Sequence, residues 1–200
     1  MKQDSLQTKS LRCARRKPWG DGLNRTLLDR LVFETAELED ARDGKSAAVL
    51  LPLVVPPDNE GPMRVWMIRR PDTMRTHAGQ VAFPGGKCDP EDPSHLETAL
   101  REAEEEIGLH RSSMEVIGRL RTIRTGMTGY RVAPFVALVP PTFVPVPNPM
   151  EVARVFSVPF YEVAARLDDR FDPRLGIHHE GEHIWGASAA MIVDLFRRMR

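Results

Sequence analysis

The stretch that decides the fold is REAEEEIGL at residues 101–109, which follows FPGG at residues 83–86 after a short acidic loop. On a helix of about 100° per residue, Glu102, Glu105 and Glu106 share one face because they are spaced i, i+3, i+4. A separate apolar stripe lies roughly 115° around the helix axis. Its members are Leu96, Ala99, Leu100, Ala103 and Ile107. The segment therefore predicts a helix that buries one face and concentrates three carboxylates on another.

This carboxylate face predicts a metal site. Like charges at these spacings each cost about 0.2–0.5 kcal/mol in an isolated helix. A divalent cation would convert that repulsion into ligation, and hard oxygen ligands suit Mg²⁺ or Mn²⁺. The competing interpretation is a solvated acidic face that binds nothing. Gly85 and Gly86, which precede the helix, favour the metal site because of their spacing from it.

The spacing Gly86-(x)14-Arg101-Glu102-Ala103-x-Glu105-Glu106-x-Gly108-Leu109 resembles the Nudix box of the Nudix hydrolases. It departs from the family pattern in the loop, where the family places a Glu six residues after the glycine and eight before the arginine. Here Asp92 is six residues after Gly86 but nine before Arg101, so the loop is one residue longer. Three acids are candidates for the role of the missing Glu: Asp89, Glu91 and Asp92.

The resemblance implies a fold, a chemistry and a set of site residues. The fold is an α/β class fold, a Nudix-type α/β/α sandwich with a central mixed sheet. The chemistry is metal-dependent diphosphate hydrolysis across the glutamate helix and the turn formed by Gly85 and Gly86. The implied metal ligands are Glu102, Glu105, Glu106 and the carbonyl of Gly85. Arg101, one helical turn before Glu105, is expected to orient the carboxylates.

A second motif narrows the substrate. The string Arg69-Arg70-Pro71-(x)3-Arg75-(x)3-Gly79-(x)3-Phe83-Pro84-Gly85-Gly86 resembles the extra motif of the coenzyme A pyrophosphatase branch of the family. It departs from that motif at Ile68 and Pro71. The resemblance implies cleavage of coenzyme A or its derivatives to phosphopantetheine and adenosine 3′,5′-bisphosphate. A guanidinium fork can grip phosphate, so we expect Arg70 or Arg75 to contact substrate. The alternative for Arg70 is an ordinary cation at a strand end.

Glu151 is the candidate from outside the helix. It ends the segment Asn148-Pro149-Met150-Glu151, which follows a proline-rich stretch and also resembles the coenzyme A pyrophosphatase branch. A rigidly placed carboxylate would suit proton abstraction. Glu151 is therefore predicted to be either the general base or a residue that tethers the loop by hydrogen bonding.

The remaining elements follow from periodicity and turn residues. Ser94, with Glu97 at the capping-box position, and Gly108 are the expected boundaries of the central helix. Helices are expected at 22–37, 94–107, 159–167 and 187–199, strands at 47–55, 63–69, 79–83, 114–123, 130–139 and 183–185, and an irregular loop at 140–149.

Composition limits the partners. The 28 basic and 28 acidic residues give a formal net charge of zero, so nothing attracts the whole chain to nucleic acid or to anionic membrane. Residues 1–20 are basic and predict a mobile arm, with a phosphate-contacting arm or a transit peptide as alternatives. Residues 21–200 are expected to form one domain. With two separated cysteines and no apolar run of about 20 residues, a cytoplasmic protein is expected, and a homodimer is left open.

Two other functions are compatible with these motifs. One is a Nudix hydrolase of broader specificity, acting on nucleoside triphosphates, dinucleotides or oxidised nucleotides. The other is a Nudix-fold regulator that binds a ligand without turnover. The three intact carboxylates of the helix favour an enzyme, because fold alone does not determine function.

Overall fold

The computed structural model describes residues 45–56, 61–74, 76–126, 129–169, 172 and 174–199. The basic arm expected at 1–20, the helix expected at 22–37 and Arg75 lie outside the described residues. Among the described residues, no helix is long and apolar enough to cross a membrane.

A central mixed sheet forms the middle layer. Its strands are β1 (Ser46–Val54), β2 (Arg64–Arg69), β3 (Val81–Ala82), β4 (Gly85–Lys87), β5 (Glu115–Arg119), β6 (Ile123–Arg124), β7 (Arg131–Val139) and β8 (Arg154–Pro159). The main path runs β3-β2-β1-β7-β5, while β4, β6 and β8 pair with β1, β7 and β2. The sheet is mixed because β1 and β7 are parallel along their whole length and the other pairs are antiparallel. A separate hairpin joins β9 (Ile177–His179) to β10 (Glu182–Ile184).

Helices cover both faces of this sheet. They are α1 (His95–Ile107), α2 (Phe160–Asp168) and α3 (Gly186–Met199), with a short 3-10 turn at Arg111–Ser113. Side chains alternate along a strand, so Ala48 and Leu50 of β1 pack with α1 whereas Leu51 and Leu53 pack with α2 and α3. The two apolar clusters confirm the predicted α/β/α sandwich.

The observed strands differ from the sequence prediction in three places. Two strands were not predicted, and one predicted turn is part of a strand. Strand β8 was not predicted, yet it pairs with β2 over six residues, from Arg64 opposite Pro159 to Arg69 opposite Arg154. Strand β9 was also missed. The predicted turn at Gly85 and Gly86 belongs to strand β4, which pairs with the start of β1. Glycines carry no strand signal of their own, so this pairing depends on the edge that β1 offers.

Candidate active site

Helix α1 begins and ends at the predicted boundaries. The Ser94 side chain accepts a hydrogen bond from the Glu97 backbone N–H at 3.2 Å. Gly108 adopts a left-handed conformation with φ 68°, and its N–H donates to the carbonyl of Glu104 at 3.0 Å. A residue with a Cβ would be strained in that conformation. The helix that carries the carboxylates therefore has both ends fixed by local sequence.

Three carboxylates from two elements converge beside this helix. Glu102 and Glu106 of α1 and Glu151 of the proline-rich loop each offer an oxygen, and these oxygens all lie within 4.8 Å of one another. Glu105 stands apart from this carboxylate cluster. Its Oε2 accepts from Arg101 at 2.9 Å, and half of its side chain is exposed.

Glu106 is the most enclosed member of the carboxylate cluster, with 1% of its surface exposed. Its Oε2 accepts from the Gly85 backbone N–H at 2.9 Å, and its Oε1 lies 3.5 Å from Arg70 Nη1. Burial raises the pKa of Glu106 from 4.5 to about 8, against the opposing effects of the Gly85 N–H and the Arg70 guanidinium. Burial also raises the pKa of Glu102. Both shifts reflect carboxylates that lack a countercharge strong enough to offset their desolvation.

Arg101 connects the loop to the helix. Its Nη1 donates to Glu102 Oε1 at 3.1 Å and to Glu105 Oε2 at 2.9 Å. On its other side, Nε and Nη2 donate to the two oxygens of Asp92 at 3.0 and 2.9 Å. The guanidinium of Arg101 therefore bridges the acidic loop and the helix carboxylates, which Arg101 was expected to orient.

Among the three acids proposed for the role of the missing family Glu, Asp92 lies nearer to Arg101 (2.9 Å) than Asp89 does (3.4 Å). It accepts further hydrogen bonds from Thr98 Oγ1 at 2.8 Å and from the Asp89 N–H at 3.0 Å. The guanidinium of Arg101 is the main cause that holds the pKa of Asp92 well below its usual range. The Asp92 N–H also donates to the carbonyl of Asp89 at 3.1 Å, which closes a turn in the loop. The carboxylate of Asp92 therefore ties the acidic loop to Arg101.

Close approach restricts what can stand at Gly85 and Gly86 of β4. Gly85 has φ 150°, and a Cβ there would run into the carbonyl of Ala48 and into Val49. A Cβ on Gly86 would overlap the carboxylate of Glu102. The two glycines thus let the backbone approach β1 on one side and the carboxylates on the other.

Residues 143–152, which we call the strap, bring Glu151 to the helix. The Val146 N–H donates to the carbonyl of Ile107 at 2.9 Å, and the Asn148 N–H donates to the carbonyl of Glu106 at 3.0 Å. These carbonyls belong to the last turn of α1, where helices leave acceptors unpaired. The motif around Glu151 identified that residue in the sequence, whereas the capping of α1 by the strap was not predicted.

The two arginines proposed to contact substrate differ in what the structure describes. Arg70 lies against Glu106, with 22% of its side chain exposed. Its Nε is buried and has no hydrogen-bond partner among the described residues. Arg75 lies outside the described residues. Arg70 therefore lies beside the carboxylate cluster, and its Nε–H makes no hydrogen bond to the described residues.

A family model for the NUDIX domain matches residues 45–176. The chain is 44% identical over 163 residues to a protein of Yersinia enterocolitica named "Uncharacterized Nudix hydrolase NudL", covering 76% of this chain and 80% of that protein.

Solved structures agree in fold. The NUDIX domain of Shewanella oneidensis NrtR complexed with ADP ribose has a TM-score of 0.53 and 16% identity, covering 76% of this chain and 85% of that one. A binary complex of C. elegans Ap4A hydrolase has a TM-score of 0.52 and 16% identity, covering 76% and 93%.

Proposed function

The chain belongs to the Nudix family, and from that premise we propose that it is a metal-dependent hydrolase of the diphosphate bond in coenzyme A or its derivatives. The observation that carries the proposal is the carboxylate cluster of Glu102, Glu106 and Glu151, which lies against Arg70 and Gly85 of β4. The products would be phosphopantetheine and adenosine 3′,5′-bisphosphate. The carboxylate cluster supports hydrolysis in general, and the Arg70 motif supports coenzyme A as its substrate.

The residues present suit a hard divalent cation. The donors are all oxygens, they lie close enough to share one ion, and burial raises the pKa of two of the carboxylates, Glu106 and Glu102. Such a donor set suits Mg²⁺ or Mn²⁺. We propose Glu102, Glu106 and Glu151 as the ligands, with the Gly85 carbonyl beside them. When bound, the cation would neutralise charge on the diphosphate and make a nearby water easier to deprotonate.

The protein groups around the carboxylate cluster divide the remaining work. Arg101 donates to Glu102 Oε1. We assign that same oxygen to the cation, and Glu102 Oε2 to accepting the proton of the attacking water. Glu105 is held by the same guanidinium outside the carboxylate cluster, and it would have to leave Arg101 to join the metal ligands. Arg70 stands where a guanidinium can neutralise negative charge on a bound phosphate.

An activity panel tests the proposal. Coenzyme A, dephospho-coenzyme A, ADP-ribose, dinucleoside polyphosphates and oxidised nucleotides are compared with Mg²⁺ and with Mn²⁺. We expect the highest kcat/KM for coenzyme A, and a lower value for dephospho-coenzyme A because the latter lacks the 3′-phosphate. Equal rates for these two, or a preference for nucleoside triphosphates, would contradict the assignment to coenzyme A. Turnover of nothing in the panel would favour a ligand-binding regulator.

Arg70→Ala and Arg70→Lys extend the panel. If Arg70 reads a phosphate of the substrate, Arg70→Ala should erode the preference for coenzyme A more than it lowers diphosphate hydrolysis in general. Lysine keeps the charge but loses the fork, so Arg70→Lys should retain part of the activity. Arg69→Ala is the matched control, because Arg69 pairs with the exposed carboxylate of Asp72 instead. An equal loss with every substrate would instead assign Arg70 to positioning Glu106.

A further inference from the structure

We propose that Asn148 is a positioning residue, which sets the carboxylate of Glu151 opposite Glu106 by closing a turn in the strap. This inference rests on the proposed metal site, to which it adds a residue outside the proposed ligand set. Its basis is the set of hydrogen bonds that Asn148 makes to the two sides of the carboxylate cluster.

The backbone of Asn148 joins the two elements that supply the carboxylates. Its N–H donates to the carbonyl of Glu106 at 3.0 Å. Its own carbonyl accepts from the N–H of Glu151 at 3.1 Å and from that of Val152 at 2.9 Å. Glu106 and Glu151 are therefore linked through one residue, by hydrogen bonds that reach their main chains directly.

The side chain of Asn148 holds this arrangement in place. Its Oδ1 accepts from the Met150 N–H at 3.1 Å. A short amide can reach the N–H two residues ahead in this way, which is why Asn is favoured in such turns. The flanking Pro147 and Pro149 have restricted φ and no N–H of their own. The amide of Asn148 thus completes the turn that delivers Glu151.

The side chain of Asn148 acts through this turn. No hydrogen bond in the described part of the chain joins it to the carboxylate of Glu151. Val152, at the far end of the turn, is buried with 2% of its surface exposed, so the strap is anchored on both sides of Glu151. Without the amide, the strap would remain anchored, but the carboxylate of Glu151 would be held less firmly in the carboxylate cluster.

The test measures Mn²⁺ binding without substrate, by the electron paramagnetic resonance signal of free Mn²⁺, and kcat/KM beside it. In Asn148→Ala we expect both to worsen by about 3- to 10-fold, the range for one net hydrogen bond. Asn148→Asp keeps the acceptor and should restore most of the loss. Asn148→Ser should fall between the two, and it replaces Asn148→Ala in the measurements if the alanine variant does not fold.

A matched control exists on the connection between α2 and β9. There Asp172 Oδ1 accepts from the Arg174 N–H at 2.9 Å, the same type of bond across the same number of residues. Asp172→Ala should therefore remove a comparable hydrogen bond from a turn while leaving Mn²⁺ binding and kcat/KM unchanged. If Asp172→Ala weakens Mn²⁺ binding as much as Asn148→Ala does, the effect is a general loss of stability and the proposal is overturned.

A double-mutant cycle with Glu151→Gln then separates positioning from packing. If Asn148 acts through Glu151, Asn148→Ala should weaken Mn²⁺ binding in the wild-type background and have no further effect in Glu151→Gln. Equal losses in both backgrounds, or no loss in either, would overturn the role of Asn148. If Glu151→Gln alone binds Mn²⁺ as the wild type does, the proposed ligand set is wrong instead, so the two failures are distinguishable.

Discussion

The carboxylate cluster has a helix half and a strap half, and they are positioned by different means. Glu102 and Glu106 sit on α1, whose ends are set by Ser94 and Gly108 and whose spacing alone puts both carboxylates on one face. Glu151 reaches the same point through a strap that is tied to the end of that helix. The helix half is local and the strap half is tertiary. A substitution in the strap can therefore weaken the site while the helix stays intact.

The largest expected effect is in the helix half. Glu106→Gln should lower kcat/KM by about 100-fold or more, since even residues that only support metal ligands typically cost 10–100-fold. Glu105→Gln is the matched control one residue away, because its carboxylate is on Arg101 and half exposed. It should cost clearly less. Steady-state kinetics on both variants checks this, and equal losses would place Glu105 among the ligands with Glu106.

The strap half should show the next largest effect. Glu151→Gln should lower kcat/KM by about 10- to 100-fold and weaken Mn²⁺ binding, because one of the three proposed ligands is lost. The pH–rate profile should keep its shape, since proton removal is assigned to Glu102. The measurements are Mn²⁺ titration and kinetics across pH. Unchanged Mn²⁺ binding with an altered basic limb would return the general-base role to Glu151.

Asp92→Asn tests the loop that supports the helix half. The amide cannot accept both hydrogen bonds from Arg101, so the free energy of unfolding should fall by about 1–3 kcal/mol at neutral pH. The folded-state pKa of Asp92 is lowered, so the stability it confers is present above the unfolded value of 3.8 and is lost as pH falls below it. Urea unfolding of both proteins at neutral and acidic pH checks this. If the difference in free energy of unfolding between the two proteins does not become smaller at acidic pH, the ion pair does not contribute as proposed.

Glu106 should have the opposite pH dependence in metal-free protein. Its folded-state pKa is raised, so the folded state holds this proton more tightly than the unfolded state does. The free energy of unfolding should therefore decrease as pH rises from 4.5 to about 8. Glu106→Gln should show a smaller decrease, because only the raised pKa of Glu102 then remains in the carboxylate cluster, and saturating Mg²⁺ should offset the decrease in the wild type. Urea unfolding with a chelator across this window checks it, and identical slopes in both proteins would contradict the burial argument.

The helix half was accessible from sequence because its information is local. The spacing of the glutamates, Ser94 and Gly108 specify α1, and the glycines before it mark the close approach of the backbone. The strap half was accessible only in part. Glu151 was selected through its motif, but the hydrogen bonds of Val146 and Asn148 to the end of α1 join residues about 40 positions apart, and no periodicity encodes them.

The same limit explains the errors in the fold. Strand β8 was missed because its six residues are defined as a strand by their pairing with β2, which is distant in the sequence. The burial of Glu106 could not be read from a helix face that looks polar. Arg70 was proposed to contact substrate from its motif, and its contact with Glu106 was not anticipated.

The most direct test of the central claim, that helix and strap together form one metal site, is a crystal structure with Mn²⁺ located by anomalous scattering. We expect one strong peak with oxygens of Glu102, Glu106 and Glu151 all at about 2.0–2.3 Å, the range for small divalent cations and carboxylates. A peak held by Glu105 and Glu106, with Glu151 outside the coordination sphere, would contradict it.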